Sequence, residues 1–449
     1  MKKTTLIIAW ILLGALSLPV CAASLDIETE YRFRGLSYNN PDFNQFIRDN
    51  TAFYENRLRL SIKGSPIENI QIISRIQALG LAGGTTNYTL VGGTNTIRYP
   101  DTGFQPWVEN IYIKLDNVNN MPLTLQIGKQ PFLYGSGFIF ADDELGFNAI
   151  KAIWHFSDQF KLETFTAKIN ESRFGEDDLD AYGLAAVSKT SHSEWLLGIF
   201  SEKDRTGNPV IGSQEIYNIP TAAVDKYFLE YYLKKILQGA YYSINIALQR
   251  GDITYTDSTM PNQKYQGSND FKVDKLFDYL EPLGFVFEGG LKSYGNTFTG
   301  PIEVHTAWGL GTGDDQGSVI ENEAFSPSFG HQYDGLERTG FGEFYSATLY
   351  DAYPALPIGY SGIQIINLGG FISPYAQLKI GIDYYIFDAQ QAAPGGAKEL
   401  GREFDLTFRY PYSNYISLDA SYAMFFPKDG LGKDSAKAER FMLGIVGRF

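Results

Sequence analysis

The chain has 449 residues, of which 44% are hydrophobic and 20% are charged, and its formal net charge is −14. This acidic balance disfavours nucleic acid as a partner, because the phosphate backbone binds basic surfaces. Only 1 cysteine is present, which excludes a disulfide framework. The 32 Phe, 30 Tyr and 46 Gly favour many strands joined by turns over long helices.

Residues 1–23 have the pattern of a secretory signal peptide. Two lysines precede an apolar run from 6 to 16, and small residues follow at Ala22 and Ala23. The apolar run is too short to span a bilayer as a helix. We therefore predict cleavage near Ala22 or Ala23, which would also remove the chain's one cysteine, Cys21.

Charged and apolar residues alternate strictly in NRLRLSIKG, residues 56–64. The polar positions are Arg57, Arg59, Ser61 and Lys63, and the apolar positions are Leu58, Leu60 and Ile62. In a soluble sandwich the apolar face needs a second sheet to cover it, whereas in a membrane barrel it meets lipid and the polar face meets a water-filled lumen. The same alternation recurs in strand after strand. We therefore predict an all-β fold, a transmembrane antiparallel β-barrel in which these apolar positions face lipid.

Alternation and turn residues predict about eighteen strands. The predicted strands are 25–34, 51–63, 69–79, 107–116, 122–130, 148–156, 160–169, 180–189, 193–201, 226–234, 239–250, 282–292, 300–309, 360–370, 373–386, 402–410, 415–424 and 439–449. An even number of strands returns the C-terminus to the periplasmic side, where the N-terminus begins.

The predicted connections alternate between short turns and long loops. The short turns are 64–68, 157–159, 190–192 and 410–414, and the long loops include 80–106 and 310–359. Short periplasmic turns and long extracellular loops are typical of outer-membrane barrels. No repeat or linker divides the chain. We predict a signal peptide over 1–23 and one barrel domain over 24–449, located in the bacterial outer membrane with its lipid and lipopolysaccharide.

The last strand, ERFMLGIVGRF, ends on an aromatic residue. Phe441, Leu443, Ile445 and Phe449 share one face of this strand, because side chains alternate along a strand. A terminal aromatic on an alternating strand resembles the assembly signal of bacterial outer-membrane barrels. The barrel-assembly machinery is therefore an expected partner.

The segment IGKQPFLYGSGFIFADDELGFNAIKAI at 127–153 resembles the Gly-Arg-Gln and Tyr-Gly region of the alginate-export family of outer-membrane barrels. Three later stretches are similar to the C-terminal half of that family: WGLGTGDD at 308–315, LGREFDLTFRY at 400–410 and LDASYAMFFPKDGL at 418–431. Lys129 replaces the family's arginine, and Ser136 replaces the acidic residue after Tyr-Gly. The resemblance implies an eighteen-stranded monomeric pore, often for an anionic polysaccharide.

Seven basic residues are candidates for lining the pore and setting its selectivity: Arg57, Arg59, Lys63, Arg75, Lys114, Lys379 and Arg409. The first four form a basic stripe on two neighbouring strands, and confined cations attract anions. Six carboxylates take lumen positions on other strands: Glu230, Glu288, Glu303, Asp383, Asp405 and Asp419. Two interpretations stay open. Either the stripe attracts anionic solutes, or its arginines pair with lumen carboxylates and select nothing.

The predicted function is therefore an outer-membrane channel for hydrophilic solutes, in particular anionic ones, or for an exported polysaccharide. The alternatives are a barrel enzyme, such as a lipase or a protease, and a purely structural barrel. A plugged lumen would favour an anchor or a gated exporter, and an open lumen would favour diffusion.

We do not predict an enzyme, because the 4 histidines show no catalytic spacing. These histidines are His155, His192, His305 and His331. The last of them lies in the longest loop, near Ser328 and Asp334. The acidic loops at 171–180 and 312–323 match no calcium-binding motif, so neither a metal nor another cofactor is predicted.

Overall fold

A computed structural model describes most of the chain beyond the predicted signal peptide. It covers residues 24–44, 46, 49–82, 105–170, 178–206, 221–255, 277–278, 282–293, 300–314, 323–330, 340–349, 356–357, 359–375, 377–432 and 435–449. The predicted cleavage site lies outside these residues. Within them, no helix has the length and apolar character needed to cross a bilayer.

The described residues form one antiparallel sheet of 19 strands, of which β12 has only two residues. The strands are β1 (Ser24–Asn39), β2 (Asn50–Ile67), β3 (Ile70–Ala82), β4 (Gln105–Leu115), β5 (Leu123–Leu133), β6 (Ala141–His155), β7 (Phe160–Asn170), β8 (Leu179–Lys189), β9 (Ser193–Asp204), β10 (Thr221–Leu237), β11 (Ala240–Tyr255), β12 (Phe277–Asp278), β13 (Leu283–Ser293), β14 (Ile302–Gly311), β15 (Ser361–Tyr375), β16 (Leu378–Gln391), β17 (Glu399–Pro411), β18 (Ile416–Pro427) and β19 (Ala438–Arg448). Two single-turn 3₁₀ helices, Val118–Asn120 and Asp429–Leu431, lie in connections.

The sheet closes on itself because β1 pairs with both β2 and β19. The eighteen long strands therefore form a closed antiparallel barrel, which confirms the predicted fold class. Some boundaries differ clearly from the prediction. β6 begins at Ala141 rather than at residue 148, and β15 continues to Tyr375 rather than ending at residue 370, with irregular pairing only between Ile372 and Tyr375. Proline lacks a backbone donor, so Pro374 is tolerated at this strand end.

Side chains alternate between the outside and the inside of the barrel, as the sequence pattern predicts. Leu58, Leu443 and Ile445 are exposed on the outer face. Leu60 and Ile62 lie on the same face and are half-buried. Arg57 and Arg59, at alternate positions of β2, point inward and are buried, so this part of the wall presents an apolar surface to lipid.

Short turns and long connections lie at opposite ends of the barrel. Two-residue turns join β2 to β3 and β10 to β11, whereas the β14–β15 connection runs from 312 to 360. Outer-membrane barrels have short periplasmic turns and longer extracellular loops. We therefore assign the short-turn end to the periplasm and the long-loop end to the extracellular side.

The β5–β6 hairpin leaves the barrel wall partway up. The β4–β5 ladder ends at the Ile111–Lys129 pair, although β4 begins at Gln105. On the other side, β6 pairs with β7 only from Asn148 onward. Gly128 allows this departure with φ +127°, because a Cβ there would lie 2.5 Å from the Ile111 carbonyl oxygen. The hairpin tip is therefore free to fold into the lumen.

The terminal residue also contacts the rest of the barrel. Phe449 stacks on Tyr415 with ring centroids 6.1 Å apart, and its backbone pairs with Thr29.

Deleting Phe449 should reduce insertion into the outer membrane, because the terminal aromatic of the assembly signal is lost. Export across the inner membrane should be unchanged, since residues 1–23 are intact. The measurement is the amount of heat-modifiable, folded protein in outer-membrane fractions.

Phe449→Tyr is the matched control, because it keeps the aromatic ring and should assemble normally. Normal amounts of folded protein from the deletion variant would contradict the prediction.

Candidate functional site

Two loop regions fold into the barrel and fill part of its lumen. One is the tip of the β5–β6 hairpin, residues 134–140 (the hairpin tip). The other is the β14–β15 connection, which is described over 323–330 (the first inward segment) and 340–349 (the second inward segment). Phe140 and Phe329 form a backbone bridge, and their ring centroids lie 5.3 Å apart. Both rings are buried, so the two regions pack together as an aromatic core inside the barrel.

Buried polar residues of the wall hold the first inward segment. Lys226 Nζ donates to the Ser326 carbonyl oxygen at 2.6 Å and to Ser328 Oγ at 2.9 Å. Glu202 lies 3.3 Å from Lys226 and accepts the Ser328 N–H at 3.0 Å. Gln249 accepts the Ser326 N–H at 2.9 Å. Since a buried charge is costly unless it is paired, these contacts stabilise the wall and the segment together.

Two neighbouring carboxylates hold the second inward segment. Glu403 accepts the N–H groups of Phe344 and Tyr345 at 2.6 and 2.9 Å. Asp405 accepts the N–H of Glu343 at 2.9 Å. Three consecutive backbone donors therefore face these two side chains. This arrangement fixes the segment to β17.

Six arginines on one side of the inner wall share three glutamates. Glu55 contacts Arg32 and Arg34 at 2.6 Å each, Glu30 contacts Arg57 and Arg448 at 2.7 and 2.9 Å, and Glu109 contacts Arg59 and Arg75 at 3.1 and 2.5 Å. We call these nine side chains the arginine–glutamate cluster. Each glutamate bridges two arginines, so the cluster itself carries an excess of positive charge.

The cluster bears on both interpretations of the predicted basic stripe. Arg57, Arg59 and Arg75 do contact carboxylates, as the pairing interpretation expects. The six arginines share three glutamates, so the contacts described here do not decide between the two interpretations. The role of these arginines in ion selectivity stays a prediction.

The other predicted pore-lining residues lie nearer the periplasmic end, outside the cluster. Lys63 is exposed, Lys379 lies 3.3 Å over the Phe371 ring, Lys114 pairs with Asp116 at 3.0 Å, and Arg409 pairs with Asp419 at 2.8 Å. Burial raises the pKa of Asp116, but hydrogen bonds from Thr124 and Lys114 outweigh this effect and hold that pKa below its ordinary value. Asp116 is therefore ionised at neutral pH and offsets the charge of Lys114. The seven predicted cations do not meet at one constriction.

Alternation along the sequence misses Glu109, a central member of the cluster. Arg75 pairs with Asn110, whereas the next residue, Ile76, pairs with Val108. This β-bulge leaves Glu109 without a partner in the ladder and reverses the expected direction of its side chain, which is fully buried on the lumen side. The strand carries no sequence feature that would have indicated the bulge.

A cavity of about 680 Å³ lies on the periplasmic side of the inward segments. Ser136 of the hairpin tip and Thr348 of the second inward segment form part of its roof. The wall residues that line it include Tyr232, Tyr241, Glu288, His305, Asn367 and Tyr385. Its volume lies in the range of small-molecule sites, and its lining combines aromatic rings with hydrogen-bonding groups.

No described histidine contacts both a serine and a carboxylate. His305 Nε2 lies 2.7 Å from Asp383, His192 contacts Ser191, and His155 contacts Thr124. His331 and most of the two acidic loops lie outside the described residues. In the part of the chain that the structure covers, no group of three His, Cys, Asp or Glu side chains is arranged to hold a metal ion.

Comparison with known proteins identifies the fold. No family model matches the chain, and no curated protein matches its sequence. The structure is similar to OccAB1 of Acinetobacter baumannii, with 12% identity, 95% of this chain and 97% of that chain covered, and a TM-score of 0.52. OccK9 (OpdG) and OpdQ of Pseudomonas aeruginosa are similar at 12% and 11% identity, each with a TM-score of 0.51. They align over 94% and 95% of this chain and 98% of their own chains.

At these identities the likeness establishes the fold alone, which is that of bacterial outer-membrane β-barrels. Membership of the alginate-export family has no support from these comparisons.

Glu403→Gln should loosen the second inward segment. The glutamine amide retains one acceptor, so one of the two bonds to Phe344 and Tyr345 is lost, and a buried backbone N–H is left unpaired at a cost of about 2 kcal/mol. Because about 1.4 kcal/mol changes a population tenfold, displaced positions of the segment should become at least tenfold more populated. The measurement is open-channel noise and mean conductance in planar bilayers, both of which should rise.

Glu288→Gln is the matched control. Glu288 is a wall carboxylate that lines the cavity and accepts a hydrogen bond from Ser243 at 3.0 Å. The Glu288→Gln variant should therefore leave the open-channel noise unchanged. Equal noise in the Glu403 variant and in the wild type would show that the segment does not depend on this anchor.

Proposed function

We propose that the protein is an outer-membrane channel for small hydrophilic solutes and that it favours anionic ones. The observation that carries this proposal is the arginine–glutamate cluster, in which six arginines face three glutamates. In a confined lumen, where water screens charge poorly, such an excess attracts anions. The cavity below the inward segments gives a small solute room to bind in transit.

The inward segments fill only part of the lumen and leave a cavity below them, which supports a gated channel for small solutes over the anchor or gated exporter that a fully plugged lumen would favour. A polymer needs a continuous wide passage, whereas Lys226 and Glu403 hold two segments inside the lumen. The stretch that resembles the alginate-export family includes the hairpin tip, which here contributes to this narrowing. Polysaccharide export is therefore the second candidate.

A purely structural barrel is less well supported. Burying charges on the inner wall costs free energy, and a barrel that only anchors would be more stable with an uncharged inner wall. The proposal also includes cleavage of the signal peptide near Ala22 or Ala23, and insertion by the barrel-assembly machinery through the C-terminal strand. No catalytic activity is part of it.

Replacing Arg57 and Arg59 together with glutamine should shift the reversal potential in a salt gradient toward cations. The change removes two positive charges from the cluster and leaves its glutamates. The shift should shrink as salt rises, because the screening length falls from about 8 Å at physiological ionic strength to about 3 Å at molar salt. Thermal stability should also fall, since each arginine makes a charge-assisted bond of roughly 1.5–3 kcal/mol.

Two further variants make this test specific. Glu55→Gln removes a negative charge from the same cluster and should move the reversal potential in the opposite direction. Arg409→Gln removes an arginine at the periplasmic mouth, where its side chain is 71% exposed, and should have little effect. If the double variant melts at a lower temperature but keeps the wild-type reversal potential, the arginines are structural only.

A further inference from the structure

Lys129 is a cation on the lipid-facing side of the barrel wall. It pairs in the ladder with Ile111, which is 54% exposed on the outer face, and directly opposite residues share a face. Ile127, two positions earlier on β5, is also exposed on that face. The Lys129 ammonium donates to the Val108 carbonyl oxygen at 3.3 Å. No described carboxylate lies within ion-pair distance of it.

The position of Lys129 along β5 places it inside the apolar band. The strand begins at Leu123 at the periplasmic end. With about 3.3 Å per residue and a tilt near 40°, the Lys129 Cα lies roughly 15 Å above that end, within a band about 25 Å tall. A lipid-facing cation at this depth is destabilising unless an anion reaches it, and an ionisable residue there indicates a functional site.

A row of polar residues leads from Lys129 to the extracellular rim. In register, Lys129 pairs with Asn148, Asn148 with Lys168, Lys168 with Asp180, and Asp180 with Lys203. All five share the outer face, and we call them the outer polar row. The row lies progressively further from the periplasmic ends of its strands, and Lys203 is the penultimate residue of β9. Its upper end therefore lies at the level of the outer-leaflet headgroups.

The departure of the β5–β6 hairpin explains why this row begins so deep. The ladder of the wall stops at Lys129, and the chain above it turns into the lumen. On the outer surface of β5, polar side chains therefore begin closer to the periplasmic end than on the neighbouring strands. This shape favours a headgroup of the outer leaflet over a protein partner, because the row is continuous with the headgroup layer.

We propose that the outer polar row binds a phosphate group of lipopolysaccharide, the phosphorylated glycolipid of the outer leaflet, with Lys129 as its principal contact. Lys168 pairs with Asp178 at 2.9 Å, and Lys203 lies over the Tyr182 ring near the extracellular rim. Lys129 is the deepest cation of the row and donates to a neutral carbonyl oxygen, so its charge is available for an added anion. Asn148 lies beside it and supplies an amide donor. Phosphate oxygens accept several such hydrogen bonds at once. Binding would also offset the cost of placing Lys129 in the apolar band.

The test measures binding of lipopolysaccharide to the folded full-length barrel in lipid-free detergent, by native mass spectrometry and by thermal shift. Lys129→Gln should weaken binding about tenfold, and Lys129→Arg should bind as the wild type does. Lys235→Gln is the matched control, because Lys235 is also exposed on the outer face but lies at the periplasmic end of β10. Removing the phosphates from lipopolysaccharide should weaken its binding to the wild type at least as much as Lys129→Gln weakens the binding of intact lipopolysaccharide. Millimolar inorganic phosphate should not compete, since a free ion lacks the acyl chains.

Several outcomes would overturn the proposal. These are unchanged binding by Lys129→Gln, equal losses in the Lys129 and Lys235 variants, or equal binding of intact and dephosphorylated lipopolysaccharide. Stability in a non-ionic, phosphate-free detergent without lipopolysaccharide gives an independent result. There, Lys129→Gln should be at least as stable as the wild type, because the cation has no anion to bind. A less stable variant would instead show that Lys129 stabilises the barrel through its hydrogen bond to the Val108 carbonyl oxygen.

Discussion

The ladder between β1 and β19 is the contact on which the rest of the structure depends. It joins the first and last strands in register from Glu30–Arg448 to Asn39–Glu439. In hydrocarbon, an unpaired backbone N–H or carbonyl group costs several kcal/mol, so a membrane-spanning sheet has to close. Closure then divides every strand into a lipid face and a lumen face. The charged side chains of alternate positions are thereby gathered into one enclosed space.

Enclosure explains why the inner wall is a network of shared charges. In water, Arg32 and Glu55 would be solvated separately, but inside the barrel both are buried and stabilise each other. Other buried polar groups of the wall find their partners in the inward segments: Lys226 and Glu403 bind backbone groups of these segments. Wall charge and loop position are therefore coupled. In the proposed channel, the charges assigned to selectivity and the segments assigned to gating would lie on the same inner wall.

The interruption of the wall at β5 and β6 affects both faces of the barrel. Inside, it brings the hairpin tip against the first inward segment through the Phe140–Phe329 bridge. Outside, it leaves Lys129 at the end of a shortened ladder, where polar residues reach into the apolar band. One local change in hydrogen bonding thus places the hairpin tip in the lumen and leaves Lys129 at the end of the wall ladder.

The sequence by itself determined the barrel, its eighteen long strands and the side of the wall on which most residues lie, because alternation with period two is a local property of each strand. YRFRG at 31–35, like NRLRLSIKG, carries its inward arginines in that pattern. Only the tertiary structure decided that Glu109 turns inward, since a bulge depends on how β3 pairs with β4. It also decided that each glutamate bridges two arginines and that the β14–β15 connection enters the lumen. These features depend on contacts between residues distant in the chain, which no local pattern encodes.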